Sequence, residues 1–344
     1  MKILILGDFS SAGRFLASGF ESLGCHVNHV GLPNGWRKNP LQKSLLSDKK
    51  GLLGKFETYT NCLTFHKKKT YDLCIILSPN PFPLIINFSI LKRIRNSVRK
   101  IAYWVTGCDS QFANWGIRFN QELCLPCLVY DQKSSTCKCL SQRYKNNEYR
   151  VLDLMDFIVP CSFEYDASRG TSEKIKTSIP LCVPRQPKFL PEALNTIFHG
   201  LNRYGFKGTY LVEKSFEKLK NNFPSKKFII DGKLPYKDYT IILQNTDCIV
   251  DQIFNRSLGI NSLLALSIGK VLIAGNISEA EHLFQTPKTP MIGIKPCSQD
   301  LTEKLTQILE NPEYFLQIAR EGPEFVDKYY SPIKSAEKFL GLLQ

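Results

Sequence analysis

The sequence predicts an α/β protein made of two Rossmann-like, doubly wound domains that face each other across a cleft. Apolar, strand-like runs alternate with amphipathic helical segments in each half of the chain, and a proline-rich stretch interrupts this alternation midway. Alternating strands and helices imply right-handed crossovers and parallel sheets. The 344 residues are also too many for one ordinary core and fit two domains. Open sheets of this kind bind ligands at the carboxyl ends of their strands.

The first half of the chain begins with a β-α-β unit. Residues 2–7 have the apolar character of a buried strand, a Gly/Ser turn follows, and apolar residues recur at helical spacing over residues 15–24. Further β-rich runs, each bounded by turn residues, occur at residues 71–79, 100–107 and 155–162. We assign residues 1–183 to this domain, which contains a cysteine-rich insertion at residues 108–139.

A proline-rich stretch separates the two halves. Residues 180–191 contain four prolines and no periodicity, which is typical of a linker, and we place the linker at residues 184–196. The alternation of strand and helix then begins again, and the chain ends in helical segments. We therefore assign residues 197–325 to the second domain and residues 326–344 to a closing helix.

Charge is distributed unevenly along the chain. Of a formal net charge of +14, residues 1–183 contribute +11, from 25 Lys and Arg against 14 Asp and Glu. The asymmetry favours an anionic partner for the first domain, such as a membrane surface or a phosphorylated substrate, although a solvated basic face has the same composition. Nucleic acid is disfavoured, because aromatic residues are not interleaved with the basic ones and no binding motif occurs.

The sequence predicts a cytoplasmic protein, or one held peripherally at the inner face of the membrane. No apolar run approaches the length that spans a bilayer, and the N-terminus lacks the features of a signal peptide. The basic stretches at residues 65–72 and 92–100 would suit contact with anionic lipid.

The strongest local signal is residues 197–209, IFHGLNRYGFKGT. A predicted strand delivers His199 and Gly200 to the cleft edge, Arg203 follows in a polar loop, and Lys207 lies just before a predicted helix. Free N–H groups and the dipole at a helix N-terminus favour phosphate, and two cations strengthen such a site. A solvated loop would have the same composition.

Together with residues 248–275, this loop resembles the C-terminal domain of GT-B-fold glycosyltransferases of the large retaining group, in its family-4-like, Asp-Gln branch. The shared order is HG, R and KGT, then DCIVDQ at the end of a strand, then ALSIGKVLIAG. The positions that fall in register with the branch motif are Asp251, Gln252, Gly259, Ala265, Gly269 and Lys270. The helices after Asn311 are similar to the family's closing segment, which crosses back onto the first domain.

The resemblance implies a retaining hexosyltransferase that moves a sugar from a nucleotide diphosphate sugar to a glycan or lipid-linked acceptor in cell-surface polysaccharide synthesis. It implies that Arg203 and Lys207 stabilise the leaving diphosphate, so that no cofactor is needed for catalysis. The other donor-binding residues that it implies are His199, Gly200, Asn202, Asp251, Gln252, Asn261 and Ser262.

The helix after Gly259 departs from the family pattern. The family's glutamate, which accepts hydrogen bonds from donor hydroxyls, aligns with Leu264, and a second acid aligns with Arg256. An apolar side chain cannot accept these bonds. Either another group, such as Asp251 or Gln252, supplies the missing contact, or the chain is a weakened or non-catalytic relative, such as a sugar-nucleotide-binding or partner subunit. A nucleotide-sugar epimerase of the same fold is a further alternative.

Two loops of the first domain are candidates for the acceptor side. Asp109 follows a predicted strand and resembles an acid of related transferases, so it could orient or deprotonate an acceptor hydroxyl. It could equally cap a helix. Ser10, Ser11 and Gly13 lie in the turn after the first strand and could hold acceptor or phosphate, although a tight β-α turn needs glycine in any case.

Four cysteines lie close together in the insertion: Cys124, Cys127, Cys137 and Cys139. Their spacing suits a tetrahedral thiolate site, for which zinc is the expected metal. Four thiolates leave no open coordination position, so the predicted zinc would be structural. A thiol-rich loop without metal is the alternative.

Overall fold

The computed structural model describes residues 1–32, 43–67, 69–118, 127–131, 137–175, 177–232 and 234–344. These residues form two parallel sheets with helices packed on both faces of each. The predicted fold class, two Rossmann-like doubly wound domains, is confirmed.

The first sheet has the strand order β3-β2-β1-β4-β5-β6, and each neighbouring pair is parallel. Its strands are β1 (Lys2–Leu6), β2 (His26–Gly31), β3 (Lys43–Ser44), β4 (Tyr71–Ile76), β5 (Val98–Val105) and β6 (Phe157–Pro160). Its helices are α1 (Ala12–Ser22), α2 (Gly51–Thr64), α3 (Leu84–Arg95), α4 (Ser110–Arg118), α5 (Gln142–Asp153) and α6 (Phe163–Ala167). The described residues between α4 and α5 include a π-helical turn, Cys127–Asp131, and a 3-10 turn, Lys138–Leu140.

The second sheet has the order β11-β10-β9-β7-β8 and is also parallel throughout. Its strands are β7 (Thr196–Leu201), β8 (Lys227–Gly232), β9 (Cys248–Val250), β10 (Val271–Gly275) and β11 (Ile292–Ile294). The helices are α7 (Thr209–Asn222), α8 (Tyr236–Gln244), α9 (Ile260–Ser267), α10 (Ser278–Phe284), α11 (Ser298–Glu310), α12 (Pro312–Tyr329) and α13 (Pro332–Gly341).

The central strands are apolar on both faces because each face is covered. In β1, Ile3 and Ile5 pack in the cluster that includes α1, whereas Leu4 and Leu6 pack in the cluster that includes α3 and α5. All four side chains are at most 1% exposed. Such continuous apolar runs are typical of parallel strands buried on both sides.

The last helix packs on the first domain. The ring of Phe339 in α13 lies 6.3 Å from that of Phe20 in α1 and 5.7 Å from that of Trp104 in β5. A Cβ at Gly19 would clash with the Pro332 carbonyl, so glycine permits this close approach. The two domains are therefore connected by two segments of the chain, residues 177–191 and residues 326–332. The first of these segments contains no helix or strand.

Two features of the described residues bear on the predictions. Helix α2 was not predicted, because its apolar residues do not follow a helical period that covers the sheet. Among the described helices, none combines the length and apolar character needed to cross a bilayer.

Candidate functional site

The carboxyl ends of both sheets meet at the domain interface, where loops from the two domains contact each other. Phe163 at the start of α6 donates its N–H to the Ser257 hydroxyl over 2.9 Å. The neighbouring Glu164 carboxylate accepts the N–H of Arg256 at 2.5 Å. The Arg14 guanidinium lies 4.7 Å from the ring centre of Tyr236. These contacts place the candidate site between loops that both domains supply.

A buried polar network lies at the carboxyl edge of the second sheet, and we call it the Lys207 network. Lys207 lies just before α7, and its ammonium is 2.7 Å from Asp251 Oδ1 at the end of β9. The Ser262 hydroxyl, in the first turn of α9, donates to Asp251 Oδ2 over 2.6 Å. His199 in β7 completes the network through its bond to Thr209, the first residue of α7. All these residues are at most 3% exposed.

The charge state of the Lys207 network follows from its geometry. Nδ1 of His199 lies 2.8 Å from the Val250 carbonyl, which can only accept, so Nδ1 carries the proton. Nε2 then accepts from the Thr209 hydroxyl at 2.9 Å. Burial, reinforced by the Lys207 charge, lowers the pKa of His199 to about 4, so the ring is neutral at pH 7.

The carboxyl of Asp251 is ionised. Burial opposes its ionisation, but the attraction of Lys207 and the hydrogen bonds from Lys207 and Ser262 outweigh this penalty and hold the pKa of Asp251 below its ordinary value. The network is therefore one compensated ion pair supported by a neutral histidine. Desolvated pairs of this kind are stable only when their hydrogen bonds are complete.

The remaining predicted donor residues surround this network and are half-buried: Asn202, Arg203, Gln252 and Asn261. The Arg203 guanidinium lies 3.5 Å from the ring centre of Phe206 and donates to Cys108 Sγ over 3.4 Å. Gln252 Oε1 is buried and has no hydrogen-bond partner among the described residues. Arg203 thus contacts a residue of the first domain, whereas the side chains of Lys207 and Asp251 are buried within the second.

Glycines shape the backbone around the network. Gly208, the N-cap of α7, has a φ of 73°, and a Cβ there would lie 3.0 Å from the Phe254 ring. A Cβ at Gly259 would lie 3.3 Å from Gln252 Nε2. A Cβ at Gly200 would lie 3.4 Å from the Tyr239 ring. The absence of side chains at these three positions lets the loops approach one another.

Leu264 and Arg256, where the sequence departs from the resembled family, occupy different surroundings. Leu264 in α9 is 3% exposed and belongs to the large apolar core. Arg256 pairs with Glu279 at 3.0 Å. Neither side chain accepts hydrogen bonds at the cleft. At these two positions the site therefore lacks the hydrogen-bond acceptors that the resembled family has.

A second buried network lies at the carboxyl edge of the first sheet, and we call it the Asp109 network. Asp109 Oδ1 accepts the N–H of Phe112 at 2.9 Å and so caps α4. Its Oδ2 accepts from the Tyr103 hydroxyl at 2.8 Å and from the guanidinium of Arg169. Both carboxylate oxygens of Asp109 are therefore engaged inside the domain, as the helix-cap interpretation of the sequence expects. A catalytic role for Asp109 stays a prediction.

Glu148 in α5 adjoins this network and accepts the N–H of Ser110 at 2.8 Å. Burial, with the nearby Asp109 charge as the second cause, raises the pKa of Glu148 to about 7. Among the described residues, three of the network's buried atoms have no hydrogen-bond partner: Ser110 Oγ, Glu148 Oε1 and Arg169 Nε.

The turn after β1 is a tight, locally strained structure. Ser10 and Ser11 have φ values of 50° and 69°, in the left-handed region that non-glycine residues rarely adopt. The Gly13 N–H donates to Asp8 Oδ1 at 2.9 Å. A Cβ at Gly13 would lie 2.9 Å from the Gly7 carbonyl oxygen, so the turn needs glycine there. Ser10 is exposed and Ser11 half-buried.

The described part of the insertion contacts the second domain. The Tyr130 ring stacks on that of Tyr210 at 4.7 Å and meets that of Tyr204 edge-on at 5.7 Å. Cys127 is buried in an apolar cluster with Phe112, Phe206 and Phe254. Residues 127–131 thus pack against the loop that carries Arg203.

The predicted zinc ligands are only partly described. Cys124 lies outside the described residues, and within them no group of three or more His, Cys, Asp or Glu is arranged to hold a metal. Burial, aided by the neighbouring Cys108 and Cys137 thiols, raises the pKa of Cys139. The structural zinc stays a prediction.

Sequence reasoning missed several residues that build the site. Thr209 and Cys108 were not chosen, although each binds a predicted donor residue. Glu164 and Ser257 were also missed. Glu164 could have been found as an acid in the first turn of a helix that follows a strand, but its partner lies 92 residues away and has no local signal.

Comparisons with known proteins agree with the fold. No protein-family model matches the sequence, and no curated protein matches it. Among solved structures, a sucrose-phosphate synthase from Thermosynechococcus elongatus has a TM-score of 0.63 at 12% identity over 99% of this chain and 98% of that one. Anabaena HepE, solved with UDP and glucose, has a TM-score of 0.62 at 13% identity over 100% and 99%.

WaaG, a glycosyltransferase involved in lipopolysaccharide biosynthesis, has a TM-score of 0.57 at 13% identity over 99% of this chain and all of that one. At this level of identity the likeness establishes the architecture, which is that of GT-B-fold proteins along the whole chain.

Proposed function

We propose that the protein is a glycosyltransferase that moves a sugar from a nucleoside diphosphate sugar to a glycan or lipid-linked acceptor. The observation that carries the proposal is the Lys207 network, a compensated ion pair at the N-terminus of α7, with the half-buried Arg203 in the loop just before it. It lies at the carboxyl edge of a parallel sheet, where this fold binds ligands. The glycosyltransferase WaaG and HepE, which was solved with UDP and glucose, share that fold over at least 99% of their chains.

In this proposal Arg203 makes the main contact with the donor diphosphate. Its guanidinium is half-buried, is held by Phe206 and Cys108, and can offer two N–H groups to phosphate oxygens. The dipole at the N-terminus of α7 favours the negative charge that develops as the sugar–phosphate bond breaks, and the Lys207–Asp251 pair holds the start of this helix in place. Gln252, Asn202 and Asn261 supply hydrogen bonds to the donor. The proposal needs no divalent metal ion.

The proposal extends to stereochemistry and setting. Retention of anomeric configuration and transfer of a hexose rest on the family resemblance of residues 197–275. A role in cell-surface polysaccharide synthesis, at the inner face of the membrane, is supported by the basic first domain. The Asp109 network then holds the acceptor-side loop in position.

Equilibrium binding tests the donor site. Nucleoside diphosphate sugars are screened by thermal shift, because a ligand that binds the folded state stabilises it by mass action. UDP-glucose is the first donor to test, since HepE was solved with it.

Arg203→Ala should weaken binding about tenfold or more in calorimetric titration, because a charge-assisted bidentate contact is lost. Arg320→Ala removes the same charge from an exposed position on α12 and should leave the affinity unchanged. Equal affinities of Arg203→Ala and the unmodified protein would contradict the proposal.

A non-catalytic, sugar-nucleotide-binding subunit is the second candidate, and Leu264 favours it. This side chain is 3% exposed and surrounded by the core, so it offers nothing to donor hydroxyls. Donor binding without sugar transfer to any acceptor pool, and without donor hydrolysis, would select this candidate over the enzyme.

A further inference from the structure

Helix α2 and the segment before it form a projection, which we define as residues 45–64. The two parts run antiparallel and bind each other: Asn61 donates to the Leu45 carbonyl over 3.3 Å, and the Ser47 N–H donates to Thr58 Oγ1 over 3.0 Å. Gly54 is packed against the Lys49 carbonyl with no room for a Cβ. The projection is therefore held together by its own hydrogen bonds.

The end of the projection is apolar and exposed. Leu52, Leu53 and Phe56 are 83%, 74% and 74% exposed, and in α2 only Gly54 and Cys62 are buried. We call these three side chains the α2 tip. Scattered exposed apolar residues are ordinary, but three large ones at one helix end are typical of a contact surface.

Lysines surround the α2 tip. Lys49, Lys50 and Lys55 are all exposed. Of the nearby acids, Glu57 pairs with Lys49 at 3.5 Å and also accepts the Ser47 hydroxyl, while Asp48 is exposed. Apolar residues that penetrate an interface, flanked by cations that remain at its surface, are the arrangement that binds an anionic bilayer.

The projection is rooted at the cleft side of the first domain. Leu45 follows β3 directly, and Phe65, just after α2, contacts Phe82, which follows β4, at 5.8 Å between ring centres. Both points lie at the carboxyl edge of the first sheet. The tip lies about 20 Å from this base, the length of a 14-residue helix. The basic stretch at residues 92–100 lies at the opposite edge, where α3 ends and β5 begins.

We propose that the α2 tip docks on the surface of an anionic lipid bilayer and holds the cleft toward the membrane. A second copy of the chain is a poorer occupant, because three side chains fall far short of the roughly 800 Å² that each partner buries in a stable dimer. Lysines on two facing tips would also repel each other. That the docked cleft meets a membrane-borne acceptor rests on the proposed function, whereas the docking itself does not.

Vesicle flotation of the full-length protein tests the proposal without any donor or acceptor. Vesicles of phosphatidylcholine alone are compared with vesicles of phosphatidylcholine and phosphatidylglycerol in a ratio of about 7:3, where the anionic lipid attracts basic segments. The protein should float with the anionic vesicles, less so at high salt. L52S/L53S/F56S should lower the partition coefficient by about tenfold or more, since these side chains supply the buried apolar area.

The matched control is I241S/Y314S, which removes exposed apolar side chains from the second domain and should bind vesicles normally. Phe56→Trp should gain a blue-shifted emission on adding anionic vesicles. Equal flotation of the triple variant and the unmodified protein would overturn the proposal. A second outcome would also overturn it: the unmodified protein does not float and sediments as a dimer in sedimentation velocity, whereas the triple variant sediments as a monomer. Because flotation involves no sugar nucleotide, its failure leaves the donor-binding result unaffected.

Discussion

The two domains each place a buried ion pair at the carboxyl edge of a parallel sheet, yet the two networks differ in how they are completed. In the Lys207 network one cation faces one carboxylate, and every oxygen of Asp251 has a described partner. In the Asp109 network one cation, Arg169, serves two carboxyl groups, and three buried atoms lack described partners. The first is charge-balanced, whereas the second changes its charge near neutral pH.

This difference indicates separate roles for the two edges. A balanced pair keeps the same charge near neutral pH, so the electrostatic surroundings that it gives Arg203 do not change with pH in this range. The Asp109 network instead holds a loop and a helix cap together, and its electrostatic energy depends on whether Glu148 is protonated. Three experiments sharpen or break this comparison.

The largest effect is expected for Lys207→Met. It leaves the Asp251 carboxylate buried without its cation, which should lower the free energy of unfolding in urea by about 3–5 kcal/mol. The matched control is Lys270→Met, because Lys270 is equally buried but donates to the Gln244 carbonyl at 2.9 Å and has no carboxylate partner in the described chain. If both variants lost the same free energy of unfolding, the Lys207–Asp251 pair would not contribute more to stability than an unpaired buried lysine.

The second effect is a pair of opposing pH dependences. The pKa of His199 is lowered from 6.5 to about 4, so its contribution to stability is present above pH 6.5 and is lost as the pH falls toward 4. The pKa of Glu148 is raised from 4.5 to about 7, so its contribution is present below pH 4.5 and is lost as the pH rises through 7. Between pH 4.5 and 6.5 the two contributions oppose each other.

Glu148→Gln should remove one of these contributions. Urea unfolding at a series of pH values should then show stability rising with pH from 4.5 to 6.5 more steeply than in the unmodified protein. At pH 8 the variant should be the more stable by up to roughly 3 kcal/mol, the equivalent of the Glu148 shift. Parallel pH profiles of the two proteins would show that Glu148 ionises normally.

The smallest effect compares two hydroxyls that donate to the two carboxylates. Ser262→Ala and Tyr103→Phe each remove one hydrogen bond to an ionised group and should each cost about 1.5–3 kcal/mol of stability. Only Ser262→Ala should also weaken UDP-glucose binding in calorimetric titration, because its network supports Arg203. A loss of donor affinity in Tyr103→Phe would show that both edges contribute to the donor site.

Local patterns predicted the sheets but not the pairings at their edges. The alternation of apolar runs and turns placed β1, β2, β4, β5, β6 and the strands β7 to β10 of the second domain, because periodicity is a short-range property, whereas β3 and β11 were missed. Lys207 and Asp251 were both chosen from the sequence as ligand-binding residues. Their pairing with each other, across 44 residues, depends on the tertiary fold.

Other parts of the structure had no usable signal in the sequence. Helix α2 was missed because it buries almost nothing, so the apolar period that identifies helices is absent there. Asp109 was predicted to face an acceptor or cap a helix, but its contact with Arg169 lies 60 residues away along the chain and has no local signal. Leu264 was recognised as a departure from the resembled family, but its place in the core follows from packing that the sequence does not encode locally.

The two passages of the chain between the domains are bonded to each other, with the Val183 N–H donating to the Tyr330 carbonyl at 3.0 Å. A single connection would leave the domains free to swivel in any direction. Two hydrogen-bonded connections constrain the relative movement of the domains more than a single connection would, and α13, packed on α1, holds the second connection against the first domain.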